Sequence, residues 1–345
     1  MMKAAVLRGP QELCMEERPI PVPGAGEILL KVHSAAICGT DIRMWRNAES
    51  GCAPLVLGHE MAGVIEQLGK GVEGYQEGQA VAVMPNMGCG LCDSCVSGNT
   101  HMCPQYRALG IHLDGAFAEY VLIPAAAVRQ GNVCVLASGS DFDQAAAAEA
   151  LSCVYNAFEG YCPHPGDTVL IIGAGPIGIM HAKLALMAGA AQVILNDLSQ
   201  ERLSLCQRIE PRILPYWGND LKGFIAERTS GRGVDVCITA CPSPAAQASA
   251  LDLMALRGRV CFFGGLPKGK ELVPLNTNLV HYRQLILTGS SRASLAQYRK
   301  CLALIASGLV DLSQVVTNRY PIDEIQNAFA YVAAAGGLKS VIRFA

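Results

Sequence analysis

The sequence predicts an α/β protein of two domains, a doubly wound parallel sheet with crossover helices and a mostly β, barrel-like domain. Three observations carry this. The chain has 345 residues, which suggests domains of roughly 150 to 200 residues each. Up to about residue 151 it consists of short apolar runs broken by Gly and Pro, among them EILLKVHSAAI, EMAGVIEQLG, QAVAVMP and FAEYVLIP, a pattern of short strands and turns. From about residue 152 the pattern becomes strand, turn and helix.

In chain order, the first part reads as the β domain. The second opens with DTVLIIGAGPIGIMHAKLALMAGA, a continuous buried strand, a Gly-rich turn and an apolar helix closed by Gly189. QVILND, VDVCITA and GRVCFFGG supply further strands of a parallel sheet. After Gly289 come a helix over Leu295–Ala306, the run VVTNRYPI, an amphipathic helix over 323–334 and a last strand, KSVIRF. These residues are expected to return to the first domain. The expected division is therefore 1–151 with 290–345 for the β domain and 152–289 for the parallel-sheet domain. No internal repeat, low-complexity tract or charged tail interrupts this order.

Composition narrows the classes of function. The 27 basic and 29 acidic residues nearly cancel, and no run of five or six like charges occurs, which argues against nucleic acid or an anionic membrane as partner. A small molecule is the expected partner. The longest nearly apolar stretch, 168–180, is shorter than the ~20 residues a bilayer span needs. The apolar part of MMKAAVLRGPQEL is shorter than a signal-peptide core, so a reducing, cytoplasmic location is expected. The 15 cysteines then call for another explanation than disulfides.

Cys89, Cys92, Cys95 and Cys103 form C-x2-C-x2-C-x7-C within GCGLCDSCVSGNTHMC. Closely spaced thiolates on a turn can wrap one tetrahedral zinc, and four ligands of one type leave no open position, so this zinc would be structural. The alternatives are four chance cysteines or an iron–sulfur cluster, but the spacing is specific and the spacings of ferredoxins differ.

Gly173, Gly175 and Gly178 make G-x-G-x-x-G directly after a strand and before a helix, with Pro176 and Ile177 inside the turn. That context marks a Rossmann-type dinucleotide site: the glycines permit the tight turn and close approach of a pyrophosphate, which faces the positive helix end. Asp197 follows Gly178 by 19 residues, close to the spacing of about 20 expected for a carboxylate on the adenosine ribose. It would repel a 2′-phosphate, which favours NAD over NADP, while the nearby Arg202 could accommodate one.

In the β domain, Cys38 lies in AAICGTDIRMW, and His59 with Glu60 in LGHEMAG. A thiolate, an imidazole and a carboxylate suit a catalytic zinc, which keeps one position open. Each alone reads equally as a buried structural residue.

Together, ICGTD, LGHE, the GCGLCDSC loop, AEALSCVYNA and VLIIGAGPIG resemble, in order and along essentially the whole chain, the zinc-containing medium-chain dehydrogenases, most of all the sorbitol, threonine and galactitol-1-phosphate dehydrogenase branch. The resemblance implies a GroES-like catalytic domain beside the Rossmann domain, with one catalytic and one structural zinc per chain. It implies Cys38 and His59 as ligands of the catalytic zinc, with the third oxygen from Glu60 or Glu149. It places Thr40 where a hydroxyl takes the alcohol's proton. Many relatives carry a relay histidine where Arg43 stands here, so that relay is not expected.

The implied reaction is transfer of a hydride between NAD and a secondary alcohol of a polyol or polyol phosphate. Glu149 points to the polyol branch, and Arg43 and Arg292, with Trp45, are candidate substrate contacts suited to a phosphate or carboxylate. The alternatives are a threonine-like amino-alcohol or sugar-acid dehydrogenase, or a non-catalytic zinc- and nucleotide-binding protein. Apolar stretches at 260–266 and 285–288 could extend a sheet across a two-fold axis, and the family leads us to expect a homo-dimer or homo-tetramer.

Overall fold

The structure, a computed structural model, describes residues 1–47 and 54–345. The chain divides into two compact units, Met1–Ser152 with Ala293–Ala345, and Cys153–Arg292. The helix Phe142–Tyr161 carries the chain from one to the other, so the division falls inside a helix rather than in a loop.

The first unit is built on a sheet that has, among the described residues, seven strands. Its order is Val133–Val135, Ala80–Val83, Glu60–Leu68, Ile28–Ala36, Lys339–Arg343 and Val316–Pro321, with Tyr120–Ile123 also pairing Ile28–Ala36. Ile28–Ala36 is buried on both faces, as its nearly unbroken apolar sequence requires. Leu30, Val32, Met61, Ile65, Val81, Val83, Phe117 and Phe329 fill the core, each large side chain contributing roughly 1.5–3 kcal/mol on burial. A smaller sheet joins Glu12–Arg18, Met2–Gly9 and Leu55–Val56.

Two carboxy-terminal strands complete the larger sheet. Lys339–Arg343 runs antiparallel to Ile28–Ala36, with Val341 opposite Ala36. Asp143, buried, ties the layers by accepting hydrogen bonds from Ser34 Oγ at 2.9 Å, Arg319 Nε at 2.7 Å and Arg343 Nη2 at 2.6 Å. Between these strands the expected helix over 323–334 begins as a tight 3₁₀ turn, Ile322–Glu324, after Pro321, and becomes the α-helix Ile325–Ala333.

The second unit is built on a sheet that has, among the described residues, six strands, all parallel, in the order Ile213–Tyr216, Gln192–Asn196, Thr168–Ile172, Val234–Thr239, Met254–Phe262 and Ile286–Gly289. The chain winds outward from Thr168–Ile172 in one direction and then crosses to Val234–Thr239 on its other side. Val169, Leu170, Ile171, Val193, Ile194 and Leu195 are fully buried, which explains the continuous apolar runs. The edge strand Ile286–Gly289 leaves Ile286 and Leu287 exposed. Among the described residues no helix is long and apolar enough to cross a membrane.

Candidate functional site

Cys38 sits where the strand Ile28–Ala36 turns into the helix Gly39–Asn47. The Ile37 amide donates to Ser340 O at 2.9 Å, and the Cys38 amide donates to Asp41 Oδ2 at 2.8 Å, so both a neighbouring strand and the new helix fix the turn. Glu60 opens the strand Glu60–Leu68, and His59 immediately precedes it. Gly58, at φ +93°, precedes them because a Cβ there would lie 2.9 Å from the Phe117 amide nitrogen. The ligand atoms of Cys38, His59 and Glu60 all lie within 4.8 Å of one another.

Two charged partners surround this group. Asp41 is fully buried, and its Oδ1 lies 3.2 Å from His59 Nδ1. Burial pushes the His59 imidazole down, but Asp41 and the Cys38 sulfur outweigh it and hold His59 well above the ordinary value. Lys339 Nζ donates to Glu60 Oε1 at 2.6 Å, with both side chains buried. Burial disfavours the Lys339 ammonium, yet Glu60, Cys38 and Glu149 together hold its pKa above the usual lysine value. Glu60 Oε2 is buried and has no hydrogen-bond partner among the described residues.

These features fit a metal ion. The donor set of thiolate, imidazole and carboxylate suits zinc, the field inside the group favours added positive charge, and one carboxylate oxygen is left without a partner. The second contact of His59, to a buried carboxylate, is the usual means of orienting a metal-bound imidazole.

Other residues singled out from the sequence take varied places. Glu149 is buried in the helix Phe142–Tyr161, outside the close group of three but near enough to raise Lys339. Thr40 is half-buried and Arg43 exposed on the helix Gly39–Asn47. Trp45, on that helix, packs edge-on against Phe329 with ring centroids 6.0 Å apart. In the second unit, Arg292 is exposed at φ +59°, and its carbonyl accepts from Asn156 Nδ2 at 2.9 Å.

The four cysteines converge on one point. Cys92 Sγ lies 3.5 Å from Cys95 Sγ and 3.7 Å from Cys103 Sγ, and Cys89 Sγ lies 4.0 Å from Cys95 Sγ. A tetrahedral zinc with sulfurs at about 2.3 Å sets them about 3.8 Å apart, so the cluster already has the size of the ion's ligand cage. The amides of Leu91 and Cys92 donate to Cys89 Sγ and draw its thiol down to about 6, whereas burial pushes the Cys95 thiol up to about 12. Cysteines 89, 92, 95 and 103 are all free thiols.

In the second unit the strand Thr168–Ile172 leads through the glycine turn into the helix Pro176–Met187, with Pro176 at its first position. A Cβ on Gly178 would collide with Gly173 O, so only glycine lets the helix pack against the strand end. Asp197 lies just past the strand Gln192–Asn196, accepting from Ala174 N at 2.6 Å and Ser199 N at 2.8 Å. Each of its oxygens keeps a free lone pair for a ribose hydroxyl. Arg202 Nη1 lies within 3.9 Å of where a Gly175 Cβ would be, and its buried Nε has no hydrogen-bond partner among the described residues, which suits a neighbouring phosphate.

Asp41 and Lys339 escaped the sequence reading. Asp41 had a local signal, its position three residues after Cys38. Lys339, 279 residues from Glu60, had none, since a lysine that begins a strand ordinarily points to solvent.

Known proteins resemble this chain over both units. Residues 24–131 match the alcohol dehydrogenase GroES-like domain, and residues 176–307 match the zinc-binding dehydrogenase domain. The chain is 33% identical to the sorbitol dehydrogenase of Bacillus subtilis over 333 residues, covering 95% of this chain and 92% of that protein. It is 32% identical to the L-galactonate-5-dehydrogenase of Escherichia coli K12, covering 95% and 94%. Among solved structures, a zinc-binding dehydrogenase of Sinorhizobium meliloti 1021 bound to NADP superimposes with a TM-score of 0.91 at 29% identity, covering 100% of this chain and 99% of that one.

Proposed function

Because the chain belongs to the zinc-binding dehydrogenase family, we propose that it oxidises a secondary alcohol of a polyol or polyol phosphate and passes the hydride to NAD. The observation that carries this is the group of half-buried Cys38 with buried His59 and Glu60, whose ligand atoms lie within 4.8 Å of one another and which leaves Glu60 Oε2 without a partner among the described residues. Cys38, His59 and Glu60 or Glu149 would hold one zinc, and Cys89, Cys92, Cys95 and Cys103 a second. When bound at the first site, zinc supplies a Lewis acid that lowers the pKa of the alcohol.

The chain's own groups do the rest. Asp41 orients His59. Thr40 receives the alcohol proton and passes it toward water. Arg43 and Trp45 in the first unit are proposed substrate contacts, Arg43 suiting a phosphate or carboxylate on the substrate, and Arg292 in the second unit is a separate candidate of the same chemistry. The amides of the Gly173–Gly178 turn, with Pro176 and Ile177, cradle the pyrophosphate, and Asp197 takes the adenosine ribose. The choice of NAD rests on the repulsion Asp197 would exert on a 2′-phosphate, and Arg202 is the residue that would favour one. The same reading makes the enzyme a cytoplasmic homo-dimer or homo-tetramer, supported by the exposed edge strand Ile286–Gly289, and light scattering during gel filtration tests the assembly.

The test is NADH formation from polyols, polyol phosphates, sugar acids, threonine and simple alcohols, with NAD and NADP and with or without a strong chelator. Chelator-sensitive turnover of a polyol or polyol phosphate with NAD is expected. Turnover of none of them by protein carrying two zinc ions per chain would remove the proposal.

A further inference from the structure

Lys339 is a buried cation beside a group of metal-ligating side chains, and nothing in the proposed reaction uses it. Its place is fixed by the backbone: Lys339 N donates to Val315 O at 3.0 Å, and the next residue, Ser340, accepts from Ile37 N at 2.9 Å, one residue before Cys38. The ammonium therefore enters the group from a rigid strand rather than from a loop. It takes one oxygen of Glu60, Oε1, at 2.6 Å, and leaves Oε2 buried without a partner among the described residues. A buried ion pair is weak evidence of stabilisation, because a well-packed apolar pair often serves as well. The pair's position against Cys38 and His59 indicates what else it does.

We propose that Lys339 is a positioning residue that limits Glu60 to a one-oxygen donor, through Oε2, and offsets its charge within the metal group. This rests on the reading of Cys38, His59 and Glu60 as metal ligands. Chemically, a free carboxylate beside a zinc can bind through both oxygens and close the position a substrate needs. The ammonium takes one lone pair of Oε1 and fixes the carboxylate's orientation, so Oε2 is the oxygen left without a partner among the described residues. The positive charge of Lys339 also offsets that of Glu60, which leaves Asp41, 3.2 Å from His59, and Glu149 as the other buried carboxylates near the group.

Infrared difference spectra of the zinc-loaded minus the zinc-free wild-type protein read carboxylate binding directly, and bands lost in Glu60→Gln identify Glu60. A wide separation of its symmetric and antisymmetric stretches, the mark of one-oxygen binding, is expected. Lys339→Met should narrow that separation. In cobalt-loaded protein it should weaken the visible bands as the coordination number rises, while the four-thiolate cluster contributes equally to all variants and subtracts out. A narrow separation in the wild type overturns the proposal without need of the Lys339→Met variant, which can fail to fold with Glu60 left unpaired. An unchanged Lys339→Met spectrum in folded protein overturns it as well. If zinc binds at Cys38 but leaves the Glu60 bands unmoved, this inference falls and the dehydrogenase reading stands; if the wild type takes up no zinc beyond that of the four cysteines, both fall.

Discussion

Asp197 Oδ2 accepts a 2.6 Å hydrogen bond from the Ala174 amide, so the carboxylate proposed to bind the ribose also pins the middle of the glycine turn. Its removal should therefore act on both cofactor and fold. In Asp197→Ala the Ala174 amide loses its acceptor, and stability should drop by about 1–3 kcal/mol. The Kd for NAD should rise at least tenfold while that for NADP rises less. Calorimetric titration with both nucleotides checks this, and an equal loss for the two would show that Asp197 does not select between them.

Cys38→Ala and His59→Ala should each lose one zinc ion per chain and nearly all turnover, while retaining the other zinc and NAD binding. Elemental analysis beside nucleotide titration decides the matter. A variant that keeps two zinc ions would disprove the assignment of its residue as a ligand.

The His59–Asp41 contact of 3.2 Å predicts a subtler phenotype. Asp41→Asn keeps the shape but not the charge and should weaken zinc at this group by about 10- to 100-fold, the usual cost of losing a partner of a metal-bound histidine. Competition with a chromogenic chelator measures it, with the four-cysteine zinc as internal control. Equal zinc retention by variant and wild type would leave Asp41 a purely structural residue.

Removal of the second zinc should be a folding event. Cys95→Ser, or prolonged chelation, should cost the lobe at 89–103 its order, seen as loss of amide protection there, because the cluster is what joins its turns. Protection that survives in zinc-free protein would contradict this.

His181 sets a pH dependence of stability. It is wholly buried, with Nδ1 3.1 Å from Tyr161 Oη, and burial lowers its pKa from 6.5 to about 3. The folded state stays unprotonated while the unfolded state gains a proton below pH 6.5, so this contribution is intact above that pH and declines as pH falls toward 3. The slope is about 1.4 kcal/mol per pH unit for one such group. His181→Leu should thus lose ground to wild type at neutral pH and recover it progressively in acid. Denaturant titrations between pH 7.5 and 5 test this, and a gap independent of pH would refute it.

Much of this was legible in the sequence, for identifiable reasons. The parallel sheet announced itself because strands buried on both faces, such as Thr168–Ile172, must be apolar throughout. The four cysteines and the glycine turn were legible because their chemistry is local, with ligands and turn residues a few positions apart. The Lys339–Glu60 pair was not, since its partners are 279 residues apart and only the sheet's strand order joins them. The length of Phe142–Tyr161 was also hidden: its alanine-rich sequence has little amphipathic contrast, so the motif within it stood out more than the helix.

The interleaving of the first unit has a consequence for biogenesis. Its sheet needs Val316–Pro321 and Lys339–Arg343, which leave the ribosome only after the entire Cys153–Arg292 unit has been synthesised. The second unit can fold while it is being made, as a contiguous segment with its own core, whereas the first waits with Ile28–Ala36 short of a neighbour. During that interval Glu60 has no counter-charge and Cys38 lacks the strand that fixes its turn. The nascent chain is therefore exposed to aggregation, and to capture of the wrong metal, until those two strands have been made.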